Sequence, residues 1–227
     1  MNENEKKMRS YQQQLHLLEI NPGNFDVKDL KPAAQTLKRG GVIAYPTETV
    51  YGLGANIFHQ KAVQKIYRVK RRDPHQPISA MIASVDNVDE FCTTVHDYAR
   101  QLMHEYWPGP LTLILRASEN LPRYMTSSDR KIGLRFPDHP ITKAVMVHHC
   151  QPITSTSANL TRGIPPVNAR ELNINIVDKI DLIIDAGPCS TRIPSTVLDC
   201  SGDEPKLIRK GSIAISEINK FLEGVAS

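Results

Sequence analysis

Apolar residues recur along the chain in two alternating patterns, short buried runs and longer stretches at helical spacing. Val27, Leu30 and Leu37 lie on one face of a predicted helix that starts after Asp26, a favourable N-cap residue. The apolar run at 42–45 then predicts a buried strand that ends at a proline. Both patterns repeat towards the C-terminus, which indicates strands interleaved with helices.

The interleaved elements predict an α/β domain. Strands that alternate with helices are typical of layered α/β folds, and consecutive strands near the C-terminus favour a mixed rather than a purely parallel sheet. The predicted helices are 61–71, 85–104, 140–148 and 215–222, and the predicted strands after 42–45 are 78–82, 111–115, 131–136, 152–156, 181–184, 195–198 and 206–208.

Residues 1–25 differ from the rest and are predicted to be an N-terminal extension of a single domain at 26–227. They are rich in Gln and Asn and end in the turn-forming sequence Asn-Pro-Gly-Asn. A few apolar residues in the extension leave two alternatives open. A short helix or an edge strand could form from Tyr11, Leu15, Leu17, Leu18 and Ile20.

Composition narrows the class of protein without deciding it. Of the 227 residues, 40% are hydrophobic and 23% are charged, which argues against a disordered or collagen-like chain. The four cysteines form no CxxC pair, the start of the chain is polar, and no uncharged apolar run approaches about 18–20 residues. We therefore expect a reduced, cytoplasmic protein without a membrane segment. The net charge of +4 permits an anionic ligand or an RNA partner and requires neither.

The segment Tyr45–Gly54 is the first candidate for chemistry. It leaves a predicted strand and places two hydroxyls around a carboxylate, at Thr47, Glu48 and Thr49, before two glycines. Hydroxyls at the end of a strand face the crevice in which open α/β sheets bind ligands. A tight turn capped by its own threonines would use the same residues, so the pattern alone leaves both alternatives open.

Two groups of cations are further candidates. Lys70 and Arg72 lie at the end of a predicted helix, where they either complement the helix dipole or clamp an anion. Lys131, Gly133 and Arg135 share one face of a predicted strand, because side chains alternate along a strand. A face with two cations and a glycine is poor core material. It is therefore either a ligand-binding face or an exposed edge.

Hydroxyl groups accompany the later strands. Ser155, Ser157 and Asn159 follow a short apolar run, and they are either hydrogen-bond donors for an anion or part of a polar loop. Ser157 has neither a GxSxG context nor a neighbouring histidine, so nothing indicates a nucleophile. Ser195 opens one late strand and Arg209 closes the next, and each alone is a weak signal.

Several well-known motifs are missing from the sequence. It contains no GxxxxGK[ST], GxGxxG or HExxH motif, and its eight histidines show no metal-ligand spacing, so we predict no protein-held metal. What remains is a set of cations and hydroxyls at strand ends. Such a set binds and positions anions, and it suits phosphoryl or nucleotidyl transfer, in which positioning and charge stabilisation dominate.

Seven short motifs, taken together, resemble the YrdC-like family. Each motif is weak by itself, but seven in the same order are specific, and the similarity runs from about residue 27 to residue 222. The motifs are GGVIAYPTETVYGLG at 40–54, KRR at 70–72, WPGPLT at 107–112, GLRFPDHP at 133–140, SAN at 157–159, STV at 195–197 and IR at 208–209.

The resemblance implies a fold, a reaction and a set of ligands. The family fold is a twisted, mixed α/β sheet with flanking helices around a large basic concavity. Family members join L-threonine, bicarbonate and ATP, accompanied by magnesium, into threonylcarbamoyl-adenylate and pyrophosphate. A downstream threonylcarbamoyl-transferase complex then modifies tRNA, and direct contact with tRNA is left open.

Two functions other than the family reaction stay open: an RNA-binding module that uses the same concavity without catalysis, and a paralogue with this fold but another substrate.

The resemblance also assigns roles to individual residues. The resemblance assigns catalysis to Lys70 and Arg72, threonine binding to Thr49, Arg135 and Ser195, and nucleotide binding to Lys131, Ser155, Ser157, Asn159 and Arg209.

Overall fold

The computed structural model describes residues 17–226. Its strands are β1 (Leu17–Glu19), β2 (Ile43–Tyr45), β3 (Gly52–Gly54), β4 (Ser79–Met81), β5 (Leu111–Arg116), β6 (Lys131–Arg135), β7 (Ile153–Ser157), β8 (Leu182–Asp185), β9 (Thr196–Asp199) and β10 (Lys206–Arg209). Its α-helices are α1 (Lys31–Lys38), α2 (Gln60–Lys70), α3 (Val88–Phe91), α4 (Asp97–Tyr106), α5 (Pro140–His149), α6 (Ile174–Val177) and α7 (Ile215–Ala226). Short 3-10 helices span Val27–Leu30, Val85–Asn87, Arg123–Met125 and Ala169–Glu171.

All ten strands form one mixed sheet, in the order β1-β8-β2-β3-β7-β4-β6-β5-β9-β10. Strands β1 and β2 both pair in parallel with β8, and the pairs β4–β6 and β5–β9 are also parallel. The other five neighbouring pairs are antiparallel, including β9–β10. The predicted α/β class with a mixed sheet is confirmed.

Alternate residues of the strands build an apolar core on each face of the sheet. On β2, Ile43 and Tyr45 pack with helices α1 and α5, whereas the flanking Val42 and Ala44 pack into the second core with α2, α4 and α7. This alternation is the period of two that strand geometry imposes. Helices α1 and α5 pack against each other, and α1 also contacts β2 and β8.

Strand β3 lies where the sequence predicted only a glycine-rich segment. It pairs antiparallel with β2, and this register places Gly52 opposite Tyr45. A Cβ on Gly52 would lie 2.6 Å from Cζ of Tyr45, so glycine lets this short strand lie beside the tyrosine ring.

The segment 85–104, predicted to be largely helical, contains separate helical stretches rather than one continuous helix. The structure has a 3-10 helix and α3, then an extended segment, and then α4. In that segment Cys92 forms a β-bridge with Ala117, and the Thr93 amide donates to the Arg116 carbonyl. Pairing with the end of β5 therefore takes precedence over the helical pattern of apolar residues.

The N-terminal part of the described chain belongs to the sheet. Leu17–Glu19 pair with β8, which confirms the edge-strand alternative for this stretch. Tyr11 and Leu15 lie outside the described residues, and the division of the chain at residue 26 stays a prediction. Among the helices of residues 17–226, none is both long and apolar enough to cross a membrane.

Candidate active site

The strand register aligns one row of side chains across the sheet. Ser157 on β7 lies opposite Gly52 on β3, and Ser155 on β7 lies opposite Ser79 on β4. Further along, Val197 on β9 pairs with both Thr112 on β5 and Arg209 on β10. Directly paired residues project to the same side of a sheet. The row therefore brings residues from distant parts of the sequence onto one face.

This row forms the floor of a cavity of about 250 Å³. Tyr45 and Met81, which pack with α1 and α5 in one core, also line the cavity, so the cavity continues the same face of the sheet. Beneath this floor, a Cβ on Gly133 would clash with Oγ of the floor residue Ser79. The charged residues in the lining are Lys70, Arg72, Arg135, Arg162 and Arg209, and the described lining contains no carboxylate.

Lys70 enters the cavity from the end of α2. The helix stops there because Arg71 takes a left-handed conformation with φ of 50°. Lys70 is 2% exposed, and its Nζ donates to the carbonyl of Ser157 and, at 2.6 Å, to the carbonyl of Asn159. Burial, and to a lesser extent the nearby Arg72, lowers the pKa of Lys70 to about 7. The buried amine thus has carbonyl partners but no carboxylate among its described contacts.

Arg72 is held by the loop that follows its own helix. Its Nε donates to the Gln76 carbonyl at 3.0 Å, and its Nη2 donates to the Pro77 carbonyl at 3.1 Å. These bonds orient the guanidinium without neutralising it. The positive charge stays available to an anion in the cavity.

Arg209 and Ser195 form the opposite wall. Arg209 Nη2 donates to the Ser195 carbonyl at 2.8 Å and to its Oγ at 3.0 Å, and that Oγ lies 2.9 Å from Thr112 Oγ1. Burial is the largest cause of the lowered pKa of Arg209, followed by the charges of Arg135 and Arg72. Several like charges therefore face one space, and an anionic ligand would relieve their repulsion.

Arg135 differs from the other cations because it has a carboxylate partner. Its Nη2 donates to Glu48 Oε1 at 2.7 Å and to Thr49 Oγ1 at 2.9 Å, and its Nε donates to the Gly109 carbonyl at 3.3 Å. Thr49 is fully buried and lies outside the cavity lining, so it contacts Arg135 from behind. Nη1 of Arg135 is the guanidinium nitrogen for which the described residues provide no partner.

Asn159 and Ser155 also line the cavity. The Asn159 Nδ2 donates to the carbonyls of Leu160 and Gly163, both at 2.7 Å. Only the amide NH₂ can satisfy two carbonyls, which fixes the orientation of the side chain. Its Oδ1 is buried and has no partner within the described part of the chain.

Lys131 is the predicted site residue that the structure places elsewhere. It lies outside the lining, and its Nζ pairs with Asp129 and Asp199, each at 3.1 Å. Lys131 shares a face with Arg135 but lies at the other end of β6, opposite Arg116. Its charge is already compensated there.

Four residues of the site have a role that sequence reasoning did not assign. Ser79 and Thr112 are floor residues. The strand register places both there, and the motif at 107–112 already ended at Thr112 without assigning it a role. Arg162 follows the serine–alanine–asparagine motif closely. Glu48 stands between two threonines of the first motif, a signal that was visible but ambiguous.

The described residues offer no site for a protein-held divalent metal. Residues 17–226 contain no cluster of three or more His, Cys, Asp or Glu side chains that could hold an ion. Mg²⁺ prefers oxygen ligands and is usually bound by carboxylates together with substrate phosphates. The cationic lining does not provide those carboxylates, so an ion would have to arrive on the ligand.

The fold and the cavity together define an α/β protein with a cation-lined cavity on one face of a mixed sheet. A family model described as telomere recombination, for Sua5, YciO and YrdC proteins, matches residues 35–211. The chain belongs to this family, which confirms the resemblance found in the seven motifs.

Two curated relatives show the extent of the similarity. The threonylcarbamoyl-AMP synthase of Pyrococcus abyssi is 35% identical over 193 residues, covering 85% of this chain and 57% of the relative. A putative threonylcarbamoyl-AMP synthase of Methanocaldococcus jannaschii is 31% identical, covering 84% and 89%. The chain spans just over half the length of the Pyrococcus abyssi relative.

Solved structures share the fold. P. abyssi Sua5 complexed with L-threonine aligns with a TM-score of 0.85 and 32% identity, over 91% of this chain and 60% of that one. Escherichia coli YciO aligns with a TM-score of 0.82 and 28% identity, over 90% and 99%. The similarity confirms the family fold expected from the motifs.

Proposed function

We propose that this chain is a threonylcarbamoyl-AMP synthase that joins L-threonine, bicarbonate and ATP and releases pyrophosphate. One observation carries the proposal: Lys70, Arg72, Arg135 and Arg209 converge on one hydroxyl-lined cavity. Of these four, only Arg135 contacts a carboxylate of the described residues. The names of the relatives and the threonine complex of P. abyssi Sua5 support it.

The cavity divides naturally between the two larger substrates. Arg135 and Ser195 bind threonine, with Thr49 fixing the guanidinium from behind. The nucleotide occupies the side where the cations lack a carboxylate partner, because a triphosphate carries several negative charges. That side comprises Lys70, Arg72, Ser155, Ser157, Asn159 and Arg209, while the nucleotide role first assigned to Lys131 has no support from the cavity.

The chemistry requires positioning rather than a protein nucleophile. The amine of threonine and bicarbonate first form a carbamate, with a new nitrogen–carbon bond and loss of water. A carbamate oxygen then attacks the α-phosphorus of ATP, a new oxygen–phosphorus bond forms, and the bond to pyrophosphate breaks. Attacking group, phosphate and leaving group are all anionic. Lys70 and Arg72, as catalytic residues, and Arg209 lower the repulsion between them and stabilise the charge on the leaving pyrophosphate.

Other parts of the proposal follow from the reaction. Magnesium accompanies ATP on its phosphates, in keeping with the lack of carboxylates in the described lining. The product is passed to a downstream threonylcarbamoyl-transferase complex that acts on tRNA, and the cytoplasm is the compartment in which the substrates meet. We also propose that residues 26–227 form the catalytic domain, with 1–25 as an extension.

Product formation from labelled ATP and labelled L-threonine tests the function. Pyrophosphate release should require both L-threonine and bicarbonate, and the adenylate should carry the threonine label. The Arg72→Ala variant is the control with lowered activity, and Asp89→Asn, which removes an exposed carboxylate paired with Arg100, is the active control. Release of pyrophosphate that ignores threonine would refute the assignment.

The dependence of binding on salt concentration distinguishes the RNA-binding alternative from the proposed enzyme. Binding through phosphates of RNA weakens steeply as salt rises because counterions are released. A nucleotide cavity with few phosphate contacts is less sensitive. Tight RNA binding with a steep salt slope and no turnover would favour that alternative.

A further inference from the structure

Glu48 is the buried carboxylate that contacts the site, and the threonine and nucleotide roles leave it unassigned. Its side chain is 10% exposed, and Oε1 lies 2.7 Å from Arg135 Nη2. Oε2 is buried and has no partner among the described residues. A buried carboxylate oxygen without a partner is costly, and the ion pair with Arg135 offsets that cost.

The backbone around Glu48 is held firmly in place. The Glu48 carbonyl accepts hydrogen bonds from the Thr191 amide, the Thr191 hydroxyl and the Ser190 hydroxyl, at 2.9 to 3.1 Å. On the other side, Thr47 Oγ1 accepts from the amides of Thr49 and Val50, both at 3.1 Å. The backbone from which the carboxylate projects is therefore fixed, and the bond to Arg135 Nη2 orients the carboxylate itself.

This pairing divides the cavity by charge. Arg135 can offer hydrogen bonds from Nη1, and Glu48 partly compensates its positive charge, whereas no carboxylate among the described residues compensates the other lining cations. Lys70, Arg72 and Arg209 bond only to carbonyl or hydroxyl oxygens among the described residues and keep their charge effect on a ligand. A zwitterionic amino acid suits the partly compensated end, whereas phosphate groups are attracted to the cationic end.

We propose that Glu48 is a specificity-determining residue that reserves the Arg135 end of the cavity for a zwitterionic amino acid and keeps phosphate groups out of it. The inference rests on the proposed function, because it assumes that threonine binds at Arg135. Glu48 lies outside the lining and acts through Arg135. Without this carboxylate, the Arg135 end would also attract phosphate. Phosphate groups would then occupy the place proposed for threonine.

The Glu48→Gln variant tests the proposal, because it keeps the size of the side chain and removes its charge. The KM for ATP should stay within about twofold. Inorganic pyrophosphate should compete only with ATP in the wild type but also with threonine in Glu48→Gln.

Two further variants keep the test decisive. Glu48→Asp retains the charge and should restore the wild-type pattern of pyrophosphate inhibition, even if its shorter side chain weakens the ion pair. Asp89→Asn removes an exposed carboxylate outside the cavity lining and should change nothing. If Glu48→Gln is poorly folded by thermal unfolding, the Glu48→Asp result decides, and competition of pyrophosphate with threonine in that variant would overturn the proposal.

The outcomes distinguish the inference from the function on which it rests. A wild-type chain that neither binds threonine nor consumes it would refute the proposed function. A fully active wild type, combined with a Glu48→Gln variant in which pyrophosphate still competes only with ATP, would refute the role of Glu48 alone. If Glu48→Gln raises the KM for ATP and the KM for threonine equally, the role of Glu48 is purely structural, which would also overturn the proposal.

Discussion

Lys70 carries a charge that depends on pH near neutrality, and this charge should control the binding of anions. Burial first, and Arg72 second, lowers the pKa of Lys70 from 10.5 to about 7. An anionic ligand in the cavity favours the ammonium form and raises that pKa again. Binding therefore takes up a proton wherever the free lysine is neutral, which is above about pH 7.

The size of the effect follows from the pKa. At about pH 8 the solution lies one unit above it, so about one lysine in ten is charged in the free protein. The affinity for ATP, measured without threonine and bicarbonate, should then fall about tenfold per pH unit above neutrality. A terminal phosphate has a pKa near 6, so the ligand itself contributes little in this range.

Isothermal titration in two buffers of different ionisation enthalpy measures the proton uptake. Wild-type protein should take up close to one proton per ATP at about pH 8.5 and much less at about pH 6.5. Lys70→Arg keeps a permanent charge and should remove the pH dependence, while Lys61→Arg, an exposed control, should leave it intact. Equal affinity of the wild type across this range, or the same loss in Lys70→Arg, would refute the reasoning.

Three further predictions follow from other residues of the structure. Arg72→Ala and Arg135→Ala should each cost about 1–3 kcal/mol of transition-state stabilisation in kcat/KM, since each removes a charged donor, and near-wild-type values in both would contradict the clamp. Gly133→Val should weaken ATP binding and cost about 1–3 kcal/mol of stability in thermal unfolding, because its Cβ would meet Ser79 Oγ. His149 is 1% exposed, and burial lowers its pKa from 6.5 to about 4. The unfolded chain therefore gains a proton first as pH falls, and urea unfolding should show a loss of about 3 kcal/mol between pH 6.5 and 4 that a His149→Gln variant lacks.

The sequence predicted most of the fold because its apolar patterns agree with the strand and helix periods. The apolar run at 42–45 corresponds closely to β2, and the helical spacing after Asp26 corresponds closely to α1. The exceptions involve pairing between distant segments. Cys92 forms a β-bridge with Ala117 just after β5, Gly52 pairs with Tyr45, and no local pattern contains those partners.

The candidate site was predictable in residue type and only partly in position. Motif order indicated Lys70, Arg72 and Ser195, which the cavity brings together. Strand periodicity placed Lys131 beside Arg135, but it could not show that two aspartates pair with the lysine at the far end of the strand. The floor residues depend on cross-strand register, which is a property of the whole sheet.

The row of side chains from Gly52 to Arg209 also has a mechanical consequence. Its members belong to segments that are far apart along the chain and that meet only when β3, β7, β4, β6, β5, β9 and β10 are all in register. A ligand that contacts both walls of the cavity therefore links distant strands of the sheet through non-covalent contacts. Substrate occupancy and resistance to unfolding are coupled in this protein by the way its strands are ordered.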